Sequence, residues 1–368
     1  MTNINNSIPD LIEPACPHFG VCGGCALQHL SAEAYGAYKK ELVVRALVHL
    51  GIEVAVHDPI LFPPHSRRRC NLKAARIQDK IHLGYHEIKS HNIVDISVCP
   101  LVVPEIEALF SPLRVCLKRV LHNKQKADLF IAMTDSGIDI LLMIEGVKAL
   151  EFEQTEALIE FARSYNLARI SYKYKNDTQP IVTFRQPYLT YGDVAVETDA
   201  DGFMQASDLS DKILTQLVLE SAPSSIKRAV DLFCGRGTYT LPLSTIAKVD
   251  AFELDSVSLS ALERAKNKSQ RAIRTCCRNL FEDPIAAKEL DIYDFAVINP
   301  PRAGALQQCR ALALCKIPVV TMVSCDPRTF ARDAKILIQG GYHLISTTPV
   351  DQFLWSNHIE VVGMFSRS

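Results

Sequence analysis

In the stretch SAEAYGAYKKELVVRALVHLG, apolar side chains recur at Tyr35, Tyr38, Leu42 and Ala46. That spacing gathers them on one side of a helix. Ser31 can cap its start and Gly51 can end it, so a helix is predicted between them. From about Pro59 to Thr198 the pattern changes to short strand-like runs. LFIAM and IDILLMIEG read as neighbouring strands joined by the turn TDSG, EFEQTEALIEFARSYN as a helix, and VTFRQPYLTYGD as a return to strand. This mixture predicts an α+β region. From about Asp201 the chain alternates. RAVDLF, KVDAFEL, DFAVINP and PVVTMVS are apolar, β-rich runs of the length of buried parallel strands. SVSLSALERAKNKSQRA reads as a helix, as does PRTFARDAKILIQ, which ends at Gly340 and Gly341. Such alternation predicts a doubly wound α/β sheet.

Composition narrows the picture. The 368 residues suffice for two domains, and 48% are hydrophobic, enough for a sizeable core. The net charge of −1 excludes a globally basic molecule, so any nucleic-acid surface must be a local patch. The start MTNINNSIPDLIEPA has neither a basic opening nor an apolar segment of the signal-peptide kind, and no apolar run approaches membrane-spanning length. A cytoplasmic protein with reduced thiols is therefore expected. Its twelve cysteines are then buried apolar groups, metal ligands or nucleophiles. CPHFGVCGGC puts Cys16, Cys22 and Cys25 within ten residues, a pattern open to zinc and to an iron–sulfur cluster alike.

Three stretches of the alternating region carry candidate chemistry. DLFCGRGTYTLPL follows a strand, and Gly235 and Gly237 allow a tight turn into a helix whose first N–H groups can face a ligand. Thr240 stands where the dinucleotide fingerprint has its third glycine. Glu253 ends the next strand, where this fold hydrogen-bonds a ribose. A ribose without a bound pyrophosphate favours S-adenosylmethionine over NAD. Asn299-Pro300-Pro301-Arg302 closes a third strand. Amino-methyltransferases follow N-P-P with an aromatic residue, so Arg302 counts against amino-group methylation. Cys325 lies at a strand end before Pro327, a position that predicts a lowered thiol pKa and a nucleophile. Cys276, Cys277, Cys309 and Cys315 read as buried and inert. Glu360 opens a last apolar strand.

Together CPHFGVCGGC, SRRRCNLKAARI, NIVDISVCPLVVPEI, GFMQAS, DLFCGRGTYTLPL, RNLFED, INPPRAGA, VSCDPRTFARD and FLWSNHIEVV resemble the bacterial RNA 5-methyluridine methyltransferases, most of all the iron–sulfur branch acting on 23S ribosomal RNA. The resemblance covers nearly the whole chain. It implies a class I S-adenosylmethionine-dependent methyltransferase domain beside a central domain with a 4Fe–4S cluster on Cys16, Cys22, Cys25 and Cys99. Cys70 is not part of that pattern. It implies a donor site of Gln205, Phe233, Thr238, Glu253, Asn279 and Asn299, with Cys325 as nucleophile and Glu360 as base. A relative has asparagine where Thr238 stands. The FxQxN pattern reads Phe203-Met204-Gln205-Ala206-Ser207 and loses its final amide. In the tail, Leu354 and Ser356 replace the family's proline and threonine.

The expected division is 1–27 with 60–200, and 28–59 with 201–368. The N-terminal β-barrel common in relatives is expected to be missing, with Arg67, Arg68 and Arg69 taking phosphate contacts. The partner implied is 23S ribosomal RNA, with no membrane and a monomeric enzyme. Methylation of the same base in transfer RNA is the alternative. A DNA cytosine methyltransferase should carry Pro-Cys instead of Ser324-Cys325.

Overall fold

The computed structural model describes residues 11–367. The leader reading made on MTNINNSIPD falls outside that range. Helix α1 (Ala32–His49) opens at Ser31, whose hydroxyl accepts from the Ala34 N–H. There follow β1 (Ile60–Leu61), β2 (Arg69–Ile77), β3 (Lys80–His86), β4 (Ile93–Asp95), α2 (Pro104–Glu107), α3 (Phe110–Val120), β5 (Lys126–Thr134) and β6 (Gly137–Ile144). Next come α4 (Phe152–Ser164), β7 (Arg169–Tyr174), β8 (Asp177–Thr183), β9 (Tyr188–Tyr191), β10 (Val194–Glu197), α5 (Asp208–Ser221), β11 (Arg228–Leu232) and α6 (Thr240–Leu243). The chain closes with β12 (Lys248–Glu253), α7 (Ser256–Ser269), β13 (Ile273–Cys277), α8 (Ala287–Leu290), β14 (Phe295–Ile298), α9 (Leu306–Leu314), β15 (Val319–Ser324), α10 (Pro327–Gln339), β16 (His343–Asp351) and β17 (Glu360–Ser366).

The first large sheet has the order β4-β3-β2-β5-β6-β7-β8. It is antiparallel except where β6 and β7 run parallel, the step that α4 bridges. Alternation along β2 and β5 turns Leu72, Ala74, Leu129 and Ile131 into a core shared with Phe110, Leu113 and Leu117 of α3 and Leu158 and Phe161 of α4. The opposite face keeps Lys73 and Asp128 partly exposed.

The second sheet has the order β1-β16-β17-β15-β14-β11-β12-β13. Strands β11 to β15 pair in parallel, and β17 runs antiparallel between β15 and β16. From β11 the chain steps outward to β12 and β13, then returns to place β14 on β11's other side. That reversal is the switch point at which doubly wound sheets open a crevice for ligands.

Packing differs in detail from the expected boundaries. Ile60–Leu61 pair with β16, and the β9–β10 hairpin buries Leu189, Tyr191, Val194 and Val196 in an apolar cluster with Val249, Phe295 and Val323. Both pieces thus pack with the second sheet, as does α1, which lies on α10 and β16. The reason is apolar area: two strand residues and a hairpin of two four-residue strands have no core of their own.

Candidate active site

The carboxyl ends of the parallel strands gather the singled-out residues on one edge. Phe233 follows β11, Glu253 ends β12, Asn279 follows β13, Asn299 follows β14 and Cys325 follows β15. Phe233 has a φ of 63°, in the left-handed region that a bulky side chain rarely occupies. Its ring lies 5.3 Å from that of Phe281, whose N–H donates to the Asn279 side chain at 3.1 Å. The Glu253 carboxylate accepts from the Gly235 N–H at 2.9 Å and from those of Leu254 and Asp255 at 2.7 and 2.9 Å. The Asn299 N–H donates to Leu232 at 3.1 Å. Thr238 lies in the same glycine turn, with Gly237 at a φ of 95° beside Leu262.

The helix expected after that turn is a correction: α6 has four residues, one turn that includes Pro242. Thr240 instead anchors the turn, its hydroxyl donating at 2.5 Å to Asp231, whose carboxyl burial pushes up to about 7.

Cys325 and Glu360 meet through strand register. Ser324 pairs with Val361 across β15 and β17, so the next residue of one strand stands opposite the preceding residue of the other. Glu360 is buried, and burial pushes its carboxyl up to about 7 against one stabilising hydrogen bond from the Gln352 amide at 2.6 Å. The expectation of a lowered thiol pKa at Cys325 is corrected: burial, then the charge of Glu360, pushes it up to about 11. The helix start that should have lowered it is capped by Asp326, itself a negative neighbour. Burial would raise Asp326 too, but Arg328 and Arg302 hold its carboxyl at about 2.

Gln352, one residue before the quoted FLWSNHIEVV, was missed by sequence reading. Its carbonyl accepts from the Ala206 N–H at 3.2 Å while its amide holds Glu360. It thereby joins the buried Gln205 stretch to the catalytic edge. Upstream, the Asp351 carboxylate takes Lys39 of α1 at 2.6 Å, with both side chains fully buried, and the Tyr35 hydroxyl donates to it as well. Lys39 also donates to the carbonyls of Phe353 and His358, and the Trp355 N–H donates to Tyr35 at 2.7 Å. The Trp355 carbonyl in turn accepts from Ala26 at 2.8 Å and Leu27 at 3.1 Å. The tail is tied down from the chain's other end.

The three arginines do not form a phosphate comb. Arg68 is buried, paired with Asp211, and donates to the Gln205 carbonyl at 3.1 Å. Arg69 rests 5.6 Å from the centre of the exposed Phe203 ring, its pKa lowered to about 10 by burial and then by Arg67 and Arg68. Arg67 donates to the Arg69 carbonyl. Cys309 and Cys315 are buried as expected, whereas Cys276 is half-buried and Cys277 exposed.

Beside the first sheet, Cys16, Cys22, Cys25 and Cys99 line one small cavity with Gln28, Tyr85 and Leu101. None is in a disulfide. Burial pushes the Cys25 thiol up to about 12, and the neighbouring Cys99, Cys22 and Cys16 push the same way. Gly23 is required here, since a Cβ would stand 2.9 Å from the His86 carbonyl. Among the described residues no group of three or more His, Cys, Asp or Glu side chains is arranged to hold a metal ion. A cluster with its own irons and sulfides needs its thiolates further apart than one tetrahedral ion does, and four thiols around one space, Cys99 buried and Cys16, Cys22 and Cys25 half-buried, are a donor set of the kind that group takes.

Comparison with known proteins bears on this edge directly. The family model described as tRNA (Uracil-5-)-methyltransferase matches residues 190–368. An uncharacterized RNA methyltransferase of Mesorhizobium japonicum is 37% identical over 358 residues, 97% of this chain and 85% of that protein. The 23S rRNA (uracil(1939)-C(5))-methyltransferase RlmD of Erwinia tasmaniensis is 30% identical over 378 residues, 100% of this chain and 85% of that protein. The crystal structure of the Pyrococcus abyssi tRNA (uracil-54, C5)-methyltransferase, in complex with S-adenosyl-L-homocysteine, superposes with a TM-score of 0.72 at 21% identity, covering 94% of this chain and 86% of that one. Sharing the fold with the last and sequence over 97% and 100% of its length with the Mesorhizobium and Erwinia proteins, the chain belongs to the RNA uracil-5-methyltransferase family.

Proposed function

We propose that this enzyme methylates C5 of a uridine in 23S ribosomal RNA, with S-adenosylmethionine as donor, through a covalent adduct at Cys325. The observation that carries the reading is that Cys325 and Glu360 stand side by side, one step past the Ser324–Val361 pair at the end of β15 and β17. They stand on the edge that holds Phe233, Glu253, Asn279 and Asn299. Identity to an rRNA enzyme over the full chain supports ribosomal RNA, whereas the likeness to a tRNA enzyme supports the fold alone.

Uracil C5 is too weak a nucleophile to take a methyl group unaided. The Cys325 thiolate adds to C6, and the electron pair moves to C5 as an enolate. S-adenosylmethionine supplies an electrophilic methyl on sulfur, which C5 takes. Glu360 then accepts the C5 proton, and the returning electron pair restores the C5–C6 bond and expels the thiolate. The ring must leave its stack to reach the crevice. The Cys325 thiol, held up near 11 without substrate, needs help to ionise. Arg302 is the adjacent positive charge that favours the thiolate, and Glu360 stays free to take the C5 proton.

We assign donor contacts to Gln205, Phe233, Thr238, Glu253, Asn279 and Asn299, with Glu253 exchanging its backbone partners for a ribose. Cys16, Cys22, Cys25 and Cys99 would hold a 4Fe–4S cluster, which supplies a four-thiolate brace for the segment that grips Trp355. Residues 1–27 and 60–200 form the cluster-bearing unit and 28–59 and 201–368 the methyltransferase unit, less the short pieces that pack across.

Mapping 5-methyluridine in 23S rRNA and tRNA from a strain lacking this gene tests the reading. Loss at one rRNA uridine is expected, restored by wild type and not by Cys325→Ala; loss in tRNA instead would move the substrate. Anaerobically purified protein should carry about four irons per chain. Stoichiometric zinc would refute the cluster.

A further inference from the structure

With Arg68 committed to Asp211, a phosphate-binding surface must be sought elsewhere on a molecule of net charge −1. The open face of the first sheet holds a groove of about 880 Å³. Four lysines line it, Lys73, Lys126, Lys173 and Lys175, against the carboxylates of Asp128 and Glu145. Lys73 pairs with Asp128 at 2.8 Å and Lys173 with Asp201 at 2.5 Å. Lys126 and Lys175 are exposed and make no ion pair among the described residues. Register puts these groups in one band. Lys73 is paired with Asp128 and that with Met143, while Ala75 is flanked by His82 and Lys126. Tyr174 lines the groove at its β7 side, with the Lys175 ammonium 5.5 Å from its ring centre.

One strand, β2, runs from the groove to the edge of the active site. On β2 the residues Arg69, Asn71, Lys73, Ala75 and Ile77 share a face, because side chains alternate. Arg69 touches Phe203, two residues from Gln205, at the site's edge. Lys73 lies four residues further, about 13 Å away at strand rise. A sheet face that offers separated ammonium groups, an aromatic ring and a flat apolar floor matches single-stranded RNA, whose phosphates need cations and whose bases need stacking surface. We propose that this face binds the single-stranded RNA flanking the target nucleotide, leading it along β2 into the crevice. The inference rests on the reading of the chain as an enzyme acting on 23S rRNA and deepens it.

The test uses the full-length protein, a transcript of the rRNA region that contains the target uridine, and the double variant Lys126→Glu/Lys175→Glu. Both lysines are exposed and unpaired, so unfolding midpoint and S-adenosylmethionine affinity should match wild type. RNA affinity should fall at least tenfold, and the slope of log affinity against log salt should flatten by about 1.4, for two single-strand phosphate contacts. KM for the transcript should rise while kcat at saturation holds. Lys126→Arg/Lys175→Arg should restore binding. Unchanged affinity and salt slope in the glutamate variant would overturn the groove as an RNA site, whatever the protein methylates. Lost affinity in a protein whose wild type leaves no 5-methyluridine would sustain the groove and overturn the function.

Discussion

Glu360 shows how one residue sets stability against chemistry. Its carboxyl ordinarily titrates near 4.5 and in the fold near 7. The folded state therefore favours the protonated form. That contribution is fully present below 4.5 and lost as pH rises through 7, above which the buried carboxylate costs about 3 kcal/mol. Glu360→Gln keeps the shape without the charge. It should be about as stable as wild type at pH 4 and more stable by up to about 3 kcal/mol at pH 8.5, read by urea unfolding. The same variant should add and methylate but not eliminate, leaving labelled RNA attached to the protein on a denaturing gel; free turnover would remove Glu360 from the base's role. Gln352→Leu acts in the opposite direction. It deletes the one hydrogen bond that lowers the Glu360 pKa. A bond to a charged group contributes about 1.5–3 kcal/mol, so the rise of kcat/KM with pH should move about one to two units upward. An unmoved profile would show that Glu360 ionisation does not limit the rate.

Elements with their own period were readable from sequence, and elements defined by their partners were not. Helix α1 was legible because Ser31 caps it and Tyr35 is buried, but its buried stripe runs through Lys39, Val43 and Leu47, one position past the expected Tyr38, Leu42 and Ala46, which are half-buried. Strands β11, β12, β14 and β15 were legible as short apolar runs. The edge strand β13, IRTCC, has only Ile273 fully buried, and β16 carries polar Ser346 and Thr347. Neither has a one-dimensional signature, since their partners β12 and β17 define them. The glycine turn was legible, but the helix after it has only four residues, and a buried side-chain bond from Thr240 to Asp231 ties it to β11. Cys325 and Glu360 were singled out in the sequence, while the raised thiol pKa was not legible, because burial and a neighbour 35 positions away exist only in the fold. The same holds for Lys39, which the periodic pattern assigns no special place and the fold buries completely against Asp351. Lys39→Ala leaves that carboxylate unpaired, a loss of about 3–5 kcal/mol on thermal or urea unfolding. Lys39→Met, made together with Asp351→Leu, should recover much of it.

On the scale of the whole molecule, the near-zero net charge confines any attraction for RNA to local surfaces such as the lysine-lined sheet face. No helix among the described residues is long and apolar enough to cross a membrane. The two sheets do not divide the chain into consecutive halves. Helix α1 and the cysteine-bearing segment before it grip the loop before Glu360, through bonds that the Tyr35 hydroxyl donates to Asp351 and accepts from the Trp355 N–H, spanning 316 and 320 residues. That tie bears on how the protein is made. On a ribosome adding about 5–20 residues per second, α1 emerges first and must wait many seconds for the loop that receives it. Meanwhile its apolar side has no final partner, and Glu360 has no fixed position until β17 is released. Activity should therefore appear late and abruptly during synthesis, as a property of the finished chain alone.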